Sequence, residues 1–177
     1  MRRSWLLPLA LAAPLAAQRP AHVEVAPMTA RPEDVSTMDG TLKAFYEVVS
    51  GPAGAPRQWS RDRSLYIPGI WFVAMSQDSA GKIRADVMSH QDFVDRTNEG
   101  FVRRGFFEQE IHRTVQRFGH YAHVMSTYEM RERQDGPIIG RGINSVEMFW
   151  DGTRWWIASA VWEDESPGNP IPKEYLP

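Results

Sequence analysis

Two glutamates and a histidine alternate along one stretch of the chain and predict proton-transfer chemistry. Glu108, Glu110 and His112 are each two residues apart, so an extended strand would place all three side chains on one face. A carboxylate beside an imidazole orients the ring and raises its pKa, as a general base requires. We therefore consider His112 as a catalytic base with Glu110 as its orienting partner. The alternative is that this row is the solvated polar face of a strand.

Ser126 and Tyr128 carry hydroxyl groups and alternate with apolar residues. They share the two-residue period of Ala122 and Val124, which predicts that they face the protein interior. Hydroxyls in such positions contact ligands in some pockets, and in others they only satisfy buried neighbours. We expect both near a binding pocket, although a change of register by one residue would turn His123 inward instead.

A further polar pair, Asn144 and Ser159, depends on the hairpin predicted by the Asp-Gly pair at 151–152. A two-residue turn there places Asn144 directly opposite Ser159 on an otherwise apolar face. The two side chains could contact a ligand or could hydrogen-bond each other in the core. Trp59 and Tyr66 could cover the same pocket, with core packing as the alternative.

The same hairpin carries large aromatic side chains on both faces. Residues 150–162 contain four of the seven tryptophans of the chain. The two-residue turn directs Trp155 toward the helices and directs Phe149, Trp156 and Trp162 away from them. Exposed aromatic patches usually mark contacts, so we expect these three side chains to form a dimer interface or to contact a protein partner. The alternative is that arginine and glutamate side chains cover the indoles on a solvent-exposed face.

The elements that must position these residues predict an α+β fold. Apolar residues recur at three- and four-residue steps over 32–49, which indicates a helix. Two strands are predicted at 63–76 and 83–87, and a Ser-Asp capping box begins a shorter helix over 89–105. The rest of the chain predicts an antiparallel meander of four strands, at 106–118, 121–134, 138–150 and 153–163.

Composition divides the chain into four segments. Residues 1–17 have two arginines, an apolar run and a small-residue end, which is typical of a secretory signal peptide. Residues 18–31 predict an extended lead-in, 32–165 a single domain and 166–177 a proline-rich tail. We expect an exported protein, periplasmic or secreted, with no membrane contact after cleavage of the signal peptide. A permanent N-terminal anchor is the alternative.

Several classes of chemistry are excluded by residue types that are missing. The sequence has no cysteine, which excludes disulfides, thiolate metal sites and cysteine nucleophiles. Its formal charge of -2 leaves no basic excess for nucleic acid. It has no phosphate-binding loop and no dinucleotide glycine motif, and its histidines match no closed set of metal ligands. We therefore expect no cofactor and no metal.

The order of elements and three sequence stretches resemble the nuclear transport factor 2-like (NTF2-like) superfamily, also called SnoaL-like or ketosteroid-isomerase-like. "DGTLKAFYEVVSGPAG", "FGHYAHVMSTYE" and "GRGINSVEMFWDGTRWWI" look like a bacterial exported branch of it. The resemblance covers about 32–165. It implies a cone-shaped, curved antiparallel sheet with N-terminal helices on its concave face, a pocket between them, and frequent dimerisation through the sheet.

This fold carries both enzymes and binding domains, so function must be argued from the site. Its known isomerases use a pocket carboxylate as base with a tyrosine and a protonated acid as donors, and the sequence alone does not locate that set here. We expect an exported homodimeric domain that binds a small, mostly apolar molecule. The alternatives are an isomerase or dehydratase with His112 as base, and a protein-interaction module that uses the outer aromatic face.

Overall fold

The structure is a computed structural model that describes residues 20–78 and 80–177. The expected signal peptide, residues 1–17, lies outside the described residues. Within the part of the chain that is described, no helix is both long and apolar enough to cross a membrane.

A curved six-stranded sheet is the centre of the fold, and it does not close into a barrel. Its strands are β1 Trp71–Gln77, β2 Ile83–Ser89, β3 Phe107–Phe118, β4 Tyr121–Arg131, β5 Gly140–Trp150 and β6 Trp155–Asp164. They lie in the order β2-β1-β6-β5-β4-β3. All neighbouring strands are antiparallel except β1 and β6, which pair in parallel. The sheet is therefore mixed, whereas the resemblance implied an antiparallel one.

The helices differ from the sequence prediction near the N-terminus. They are α1 Pro32–Val35, α2 Met38–Val49, α3 Trp59–Arg63 and α4 His90–Arg104, followed by a short 3-10 helix at Lys173–Tyr175. The single predicted helix over 32–49 is divided because Thr37 adopts an extended conformation and caps α2, accepting a hydrogen bond from the Gly40 amide. Gly40 also packs closely, since a Cβ atom there would lie 2.5 Å from the Glu33 carbonyl oxygen.

The region after α2 also differs, because α3 ends at Arg63, the first residue of the strand predicted at 63–76. The strand itself begins only at Trp71. The capping box that begins α4 is confirmed: the Ser89 hydroxyl and the Asp92 carboxylate each accept from the other residue's backbone amide. The helix ends at Gly105, where φ is 81°.

The hydrophobic core lies between the concave face of the sheet and the helices. Leu42 and Val48 of α2 are fully buried against the sheet, as are Val124, Val146 and Ile157 of its central strands. The alternation of apolar residues along β4 and β5 therefore matches the prediction. It is this packing that holds α2 over the middle of the sheet.

Two β-bulges decide which side chains face the helices. In β3, Glu110 pairs with Tyr128 and His112 pairs with Thr127, which leaves Ile111 as an extra residue. In β6, Ile157 pairs with Met148 and Ser159 pairs with Glu147, which leaves Ala158 as an extra residue. An extra residue reverses the two-residue alternation beyond it. Every side chain after each bulge therefore lies on the opposite face from the one that a regular strand predicts.

The proline-rich tail lies on the outer, convex face of the sheet. Ile171 is buried there, and its amide donates to the Glu165 carboxylate over 3.1 Å. The Thr127 hydroxyl donates to the Tyr175 carbonyl over 2.6 Å. The tail and the sheet enclose a groove whose apolar strand residues include Met75, Met125, Ile143 and Val161. Part of the apolar outer face is thus covered by the same chain.

Candidate functional site

A cavity of about 190 Å³ lies between α2, α4 and the concave face of the sheet. The helices and the chain before β1 contribute Phe45, Val49, Tyr66, Phe93, Thr97 and Phe101. The sheet contributes Phe72, Glu108, Tyr128, Met130, Asn144, Ala160, Trp162 and Asp164, and Phe106 lies directly before β3. The cavity is lined by residues of α2, α4 and five of the six strands or of the residues next to them, and α1, α3, β2 and the 3-10 helix contribute none. It therefore forms only when most of the domain is folded.

Aromatic rings form most of the cavity wall. Trp162 packs edge-on against Phe72 and Phe93, with ring centroids 6.2 and 6.0 Å apart. Phe101 stacks on Phe106 with a centroid distance of 4.0 Å. Edge-to-face and stacked pairs of this kind stabilise by about 0.5–1.5 kcal/mol beyond the burial of their surface. The wall is therefore mainly apolar and aromatic.

Glu108 is the half-buried carboxyl group that faces this aromatic wall. Burial and, to a smaller extent, the nearby negative charge of Asp164 raise the pKa of Glu108 to about 8, although a hydrogen bond from Asn144 acts in the opposite direction. At neutral pH the group is therefore mainly protonated and can donate a hydrogen bond. A neutral carboxylic acid held in an apolar site is a donor suited to a carbonyl oxygen.

Tyr128 and Asp164 form a second polar contact at the mouth of the cavity. The Tyr128 hydroxyl donates to Asp164 Oδ1 over 2.6 Å, and Asp164 is exposed. Burial, together with the charges of Glu108 and Asp164, raises the pKa of Tyr128 above its usual range. Gly142 makes room for the phenol, because a Cβ atom there would lie 2.3 Å from the Tyr128 hydroxyl oxygen.

Asn144 is connected to the protein surface by a chain of hydrogen bonds on the concave face. Its Nδ2 donates to the Tyr46 hydroxyl over 3.2 Å, and that hydroxyl lies 2.6 Å from Ser126 Oγ. Ser126 donates to Glu110 Oε1 over 2.5 Å, and Glu110 pairs with Arg113 at 2.7 Å. Asn144, Tyr46 and Ser126 are all buried.

Tyr66 is held in the cavity wall by a separate buried network. Its hydroxyl donates to Asp62 Oδ1 over 2.6 Å, and the His90 Nε2 atom lies 2.9 Å from Asp62 Oδ2. Asp62 is fully buried. Within residues 20–78 and 80–177, no three histidine, aspartate or glutamate side chains are placed to hold a metal ion.

Three of the predicted pocket residues line the cavity, namely Asn144, Tyr128 and Tyr66. Ser126 lies behind the wall, where it contacts Tyr46 rather than the cavity. Trp59 is buried elsewhere in the core and donates its indole N–H to Asn98 over 2.7 Å. The inward direction of Ser126 and Tyr128 agrees with the period of the strand, whereas Trp59 follows the alternative of core packing.

The expectation that His112 and Glu110 share a face is wrong. Because Ile111 is a bulge residue, Glu110 faces the helices with Tyr128 and His112 faces outward with Thr127. Glu110 instead pairs with Arg113, which the bulge turns inward. His112 therefore does not reach the cavity, and Glu110 does not orient it.

The predicted pairing of Asn144 with Ser159 is also wrong. The hairpin loop has four residues, so Trp150 pairs with Trp155. Beyond the bulge at Ala158, Asn144 pairs with Trp162, and Ser159 turns to the outer face beside Glu147. Trp162, which we expected on the outer face, lines the cavity as a result.

Phe149 and Trp156 do lie on the outer face, where they pair with each other. The Arg154 guanidinium covers the Trp156 ring at 3.6 Å, and the indole N–H donates to Asp151 over 2.6 Å. This arrangement corresponds to the alternative in which charged side chains cover the indoles. His123 also faces outward and lies 3.0 Å from the Ser145 hydroxyl.

Sequence reasoning missed two acidic residues of the cavity. Glu108 was placed only in a polar row, and Asp164 was not considered. Asp164 gives no local signal because the bulge at Ala158 sets its direction. The regular alternation of the strand applies to Glu108, because Glu108 precedes the bulge. This alternation places it on the same face as Phe106, and in the sheet it pairs with Met130.

Comparison with known proteins gives matches in structure alone. No protein-family model and no curated protein sequence matches the chain. A protein of unknown function with a cystatin-like fold from Nostoc punctiforme is similar to it, with a TM-score of 0.53 and 12% identity over 81% of this chain and 98% of that chain. A proposed dehydratase of the NTF2-like family from Streptomyces avermitilis matches with a TM-score of 0.50 and 16% identity over 78% and 96% of the two chains.

The yeast UBP3-associated protein BRE5 matches with a TM-score of 0.50 and 14% identity, over 72% of this chain and 93% of that chain. At these identities the likeness concerns the fold and not the activity. Helices over the concave face of a curved, open sheet, together with these structures, identify the chain as an α+β protein with the NTF2-like fold.

Proposed function

We propose that the cavity binds a small, mostly apolar ligand through a hydrogen-bond acceptor, such as the carbonyl oxygen of a cyclic ketone or lactone. The observation that carries this proposal is Glu108, a carboxyl group that faces an aromatic cavity and is mainly protonated at neutral pH. A protonated acid in such a wall donates a hydrogen bond to a carbonyl oxygen, and the aromatic rings contact the ligand's apolar surface.

The cavity volume limits the size of this ligand. An apolar cavity of about 150 Å³ is enough to hold one benzene molecule. The cavity of about 190 Å³ therefore suits one substituted ring, and a fused four-ring molecule would need the aromatic wall to move. Cyclohexanone, acetophenone and a six-membered lactone are suitable probes.

Thermal-shift measurements with these probes test the binding proposal. A ligand at a hundred times its dissociation constant adds about 2.7 kcal/mol of stability, which raises Tm by several degrees. Glu108→Gln keeps a donor and should keep the shift, whereas Glu108→Leu should lose it. Glu147→Gln, on the outer face, is the control for a change of charge. Absence of a shift with every probe, or a shift that survives Glu108→Leu, would refute the proposal.

Proton transfer next to a carbonyl group is the second candidate function. It is favoured by two carboxyl groups in unlike surroundings, Glu108 inside the cavity and Asp164 at its exposed mouth with Tyr128 between them. In this reaction Asp164 takes the proton from the carbon beside the carbonyl, and the freed electron pair forms a C=C bond. Glu108 gives its proton to the carbonyl oxygen, which yields an enol.

Hydrogen–deuterium exchange at that carbon tests the enzymatic candidate. In deuterated water the protein should accelerate loss of the NMR signal of the hydrogens beside the carbonyl of a bound ketone. Asp164→Asn should stop this exchange while the ligand-induced thermal shift remains. Ligand binding without accelerated exchange would leave a binding domain and eliminate the enzyme. The Streptomyces protein of the same fold is a proposed dehydratase.

We further propose that the protein is exported and forms a homodimer. Export is supported by the signal-peptide pattern of residues 1–17. Dimerisation is supported by Trp71 on the outer face, which is 58% exposed. Phe149 lies on the same face, although Arg154 covers its neighbour Trp156. Mass spectrometry of the secreted protein should find a chain that begins near Gln18. Sedimentation should give twice the mass of that chain.

A further inference from the structure

Asn144 presents its amide to the cavity with one of two possible orientations, and the buried hydrogen bonds behind it select one of them. An asparagine side chain can present either N–H donors or a carbonyl acceptor, and only its partners distinguish the two. The partners here are Tyr46, Ser126 and Glu110, in that order. Each of these groups determines whether the next one donates or accepts a hydrogen bond.

Glu110 sets which partner donates in each of these hydrogen bonds. The Arg113 guanidinium lies 2.7 Å from Glu110, and such a pair favours the ionised carboxylate, which only accepts hydrogen bonds. Ser126 has one hydroxyl hydrogen and donates it to Glu110. The contact of 2.6 Å between Ser126 and Tyr46 must therefore be donated by Tyr46.

The hydrogen bond between Tyr46 and Asn144 also has only one possible direction. Burial raises the pKa of Tyr46 above its usual range, so the phenol keeps its single hydrogen and donates it to Ser126. The Tyr46 oxygen is then free only to accept, and it accepts from Asn144 Nδ2. The amide nitrogen therefore points into the polar cluster that contains Glu108, and the second N–H is available to that carboxyl group.

We propose that Glu110 is a positioning residue that acts through Ser126 and Tyr46 to hold Asn144 as a donor toward Glu108, which leaves the proton of Glu108 free for a hydrogen-bond acceptor in the cavity. The preference for ketones over alcohols rests on the proposed function. The orientation of Asn144 does not, and it can be measured in the empty protein. Glu110 does not line the cavity.

The titration of Glu108, followed by carboxyl 13C NMR, reports this orientation. Ionisable groups that face Glu108 come from several elements: Tyr46 from α2, Tyr66 before β1, Glu110 from β3, Tyr128 from β4 and Asp164 from β6. Removing the charge of Glu110 would by itself lower the pKa of Glu108, since like charges disfavour ionisation. Loss of the Asn144 donor raises the pKa of Glu108. A direct effect of the Glu110 charge and an effect that passes through Asn144 therefore shift the pKa of Glu108 in opposite directions.

Ser126→Ala breaks the chain without any change of charge and should raise the midpoint of the Glu108 titration by about one pH unit. Glu110→Ala should also raise it. The matched control is Thr127→Val on the same strand, which removes a buried hydroxyl from the outer face and should leave the midpoint in place. A midpoint that falls in Glu110→Ala, or does not move in Ser126→Ala, would overturn the proposal.

The ligand consequence is measured with cyclohexanone and cyclohexanol. The original protein should bind the ketone about tenfold more tightly than the alcohol, as one hydrogen bond predicts. Ser126→Ala should reduce this ratio several-fold while circular dichroism shows an intact fold. If neither compound binds but the Glu108 midpoint rises as expected, the proposed function fails and the positioning role of Glu110 stands.

Discussion

Glu110 and His112 lie on opposite faces of β3, although only one residue separates them, because Ile111 is a bulge residue. The bulge brings Glu110 to Ser126 and Arg113 and turns His112 to the outer face. A second bulge, at Ala158 in β6, turns Trp162 and Asp164 inward in the same way. The bulge at Ala158 therefore brings Trp162 and Asp164 into the cavity, and the bulge at Ile111 keeps His112 out of it.

His112→Ala should leave ligand binding unchanged, because the imidazole lies outside the cavity. The measurement is the thermal shift produced by cyclohexanone, compared between the original protein and the variant. Asn144→Leu is the comparison that should lose the shift, since it removes an amide from the cavity wall. Loss of the shift in His112→Ala with an unchanged fold would mean that the histidine reaches the ligand.

Glu108 should make the protein less stable as the pH rises. Its carboxyl group has a pKa near 4.5 in an unfolded chain and about 8 in the folded protein. Between these values the folded protein binds more protons than the unfolded chain, so the free energy of unfolding falls as pH increases. Relative to Glu108→Gln, the original protein should lose on the order of a few kcal/mol across this interval and little beyond it.

Urea denaturation of both proteins from about pH 5 to about pH 9 checks this expectation, and the difference between the two curves isolates Glu108 from the other titrating groups. Parallel curves would show that the carboxyl group is not buried in the way that its contacts indicate.

Gly142→Ala should destabilise the protein and displace Tyr128 from Asp164. The new methyl group would lie 2.3 Å from the Tyr128 hydroxyl oxygen and 2.6 Å from the Glu163 backbone oxygen, which cannot move freely. We expect a loss of about 1–3 kcal/mol in chemical denaturation. Gly140→Ala is the matched control, because its methyl group meets only the flexible end of Met130 at 2.6 Å. Equal losses in the two variants would contradict this account.

Trp162→Ala should cost far more stability than Trp156→Ala. Trp162 packs between Phe72 and Phe93 in the cavity wall, so its loss removes about 3 kcal/mol or more of packing. Trp156 lies on the outer face under Arg154, and such a contact contributes about 0.5–1 kcal/mol. Unfolding by urea distinguishes the two. The reverse order would mean that the strand register beyond Ala158 is different.

Removal of residues 167–177 should expose the outer face and promote self-association. The tail and the sheet enclose a groove lined by apolar side chains that include Met125, Ile143 and Val161. Without the tail these side chains face water, and exposed apolar patches favour contacts between copies. Analytical ultracentrifugation of the full and shortened proteins at equal concentration measures the effect. An unchanged mass distribution and an unchanged Tm would show that the tail does not protect this face.

Much of the fold follows from local patterns in the sequence. The capping box at Ser89, the apolar stripe of α2 and the alternation along β4 each depend on neighbours in the chain, and the structure agrees with all three. Strand alternation also predicted the inward direction of Tyr128. Local periodicity is sufficient wherever a segment remains regular.

The composition of the cavity, in contrast, was decided by tertiary structure. A two-residue period does not reveal where an extra residue will be inserted, and neither Ile111 nor Ala158 is a glycine of the kind that marks a bulge. Each bulge depends on how the neighbouring strands pair, and each reverses the faces of all residues beyond it. The sequence thus determined the elements and their order, whereas the pairing between strands brought Trp162 and Asp164 into the cavity and kept His112 and Ser159 out of it.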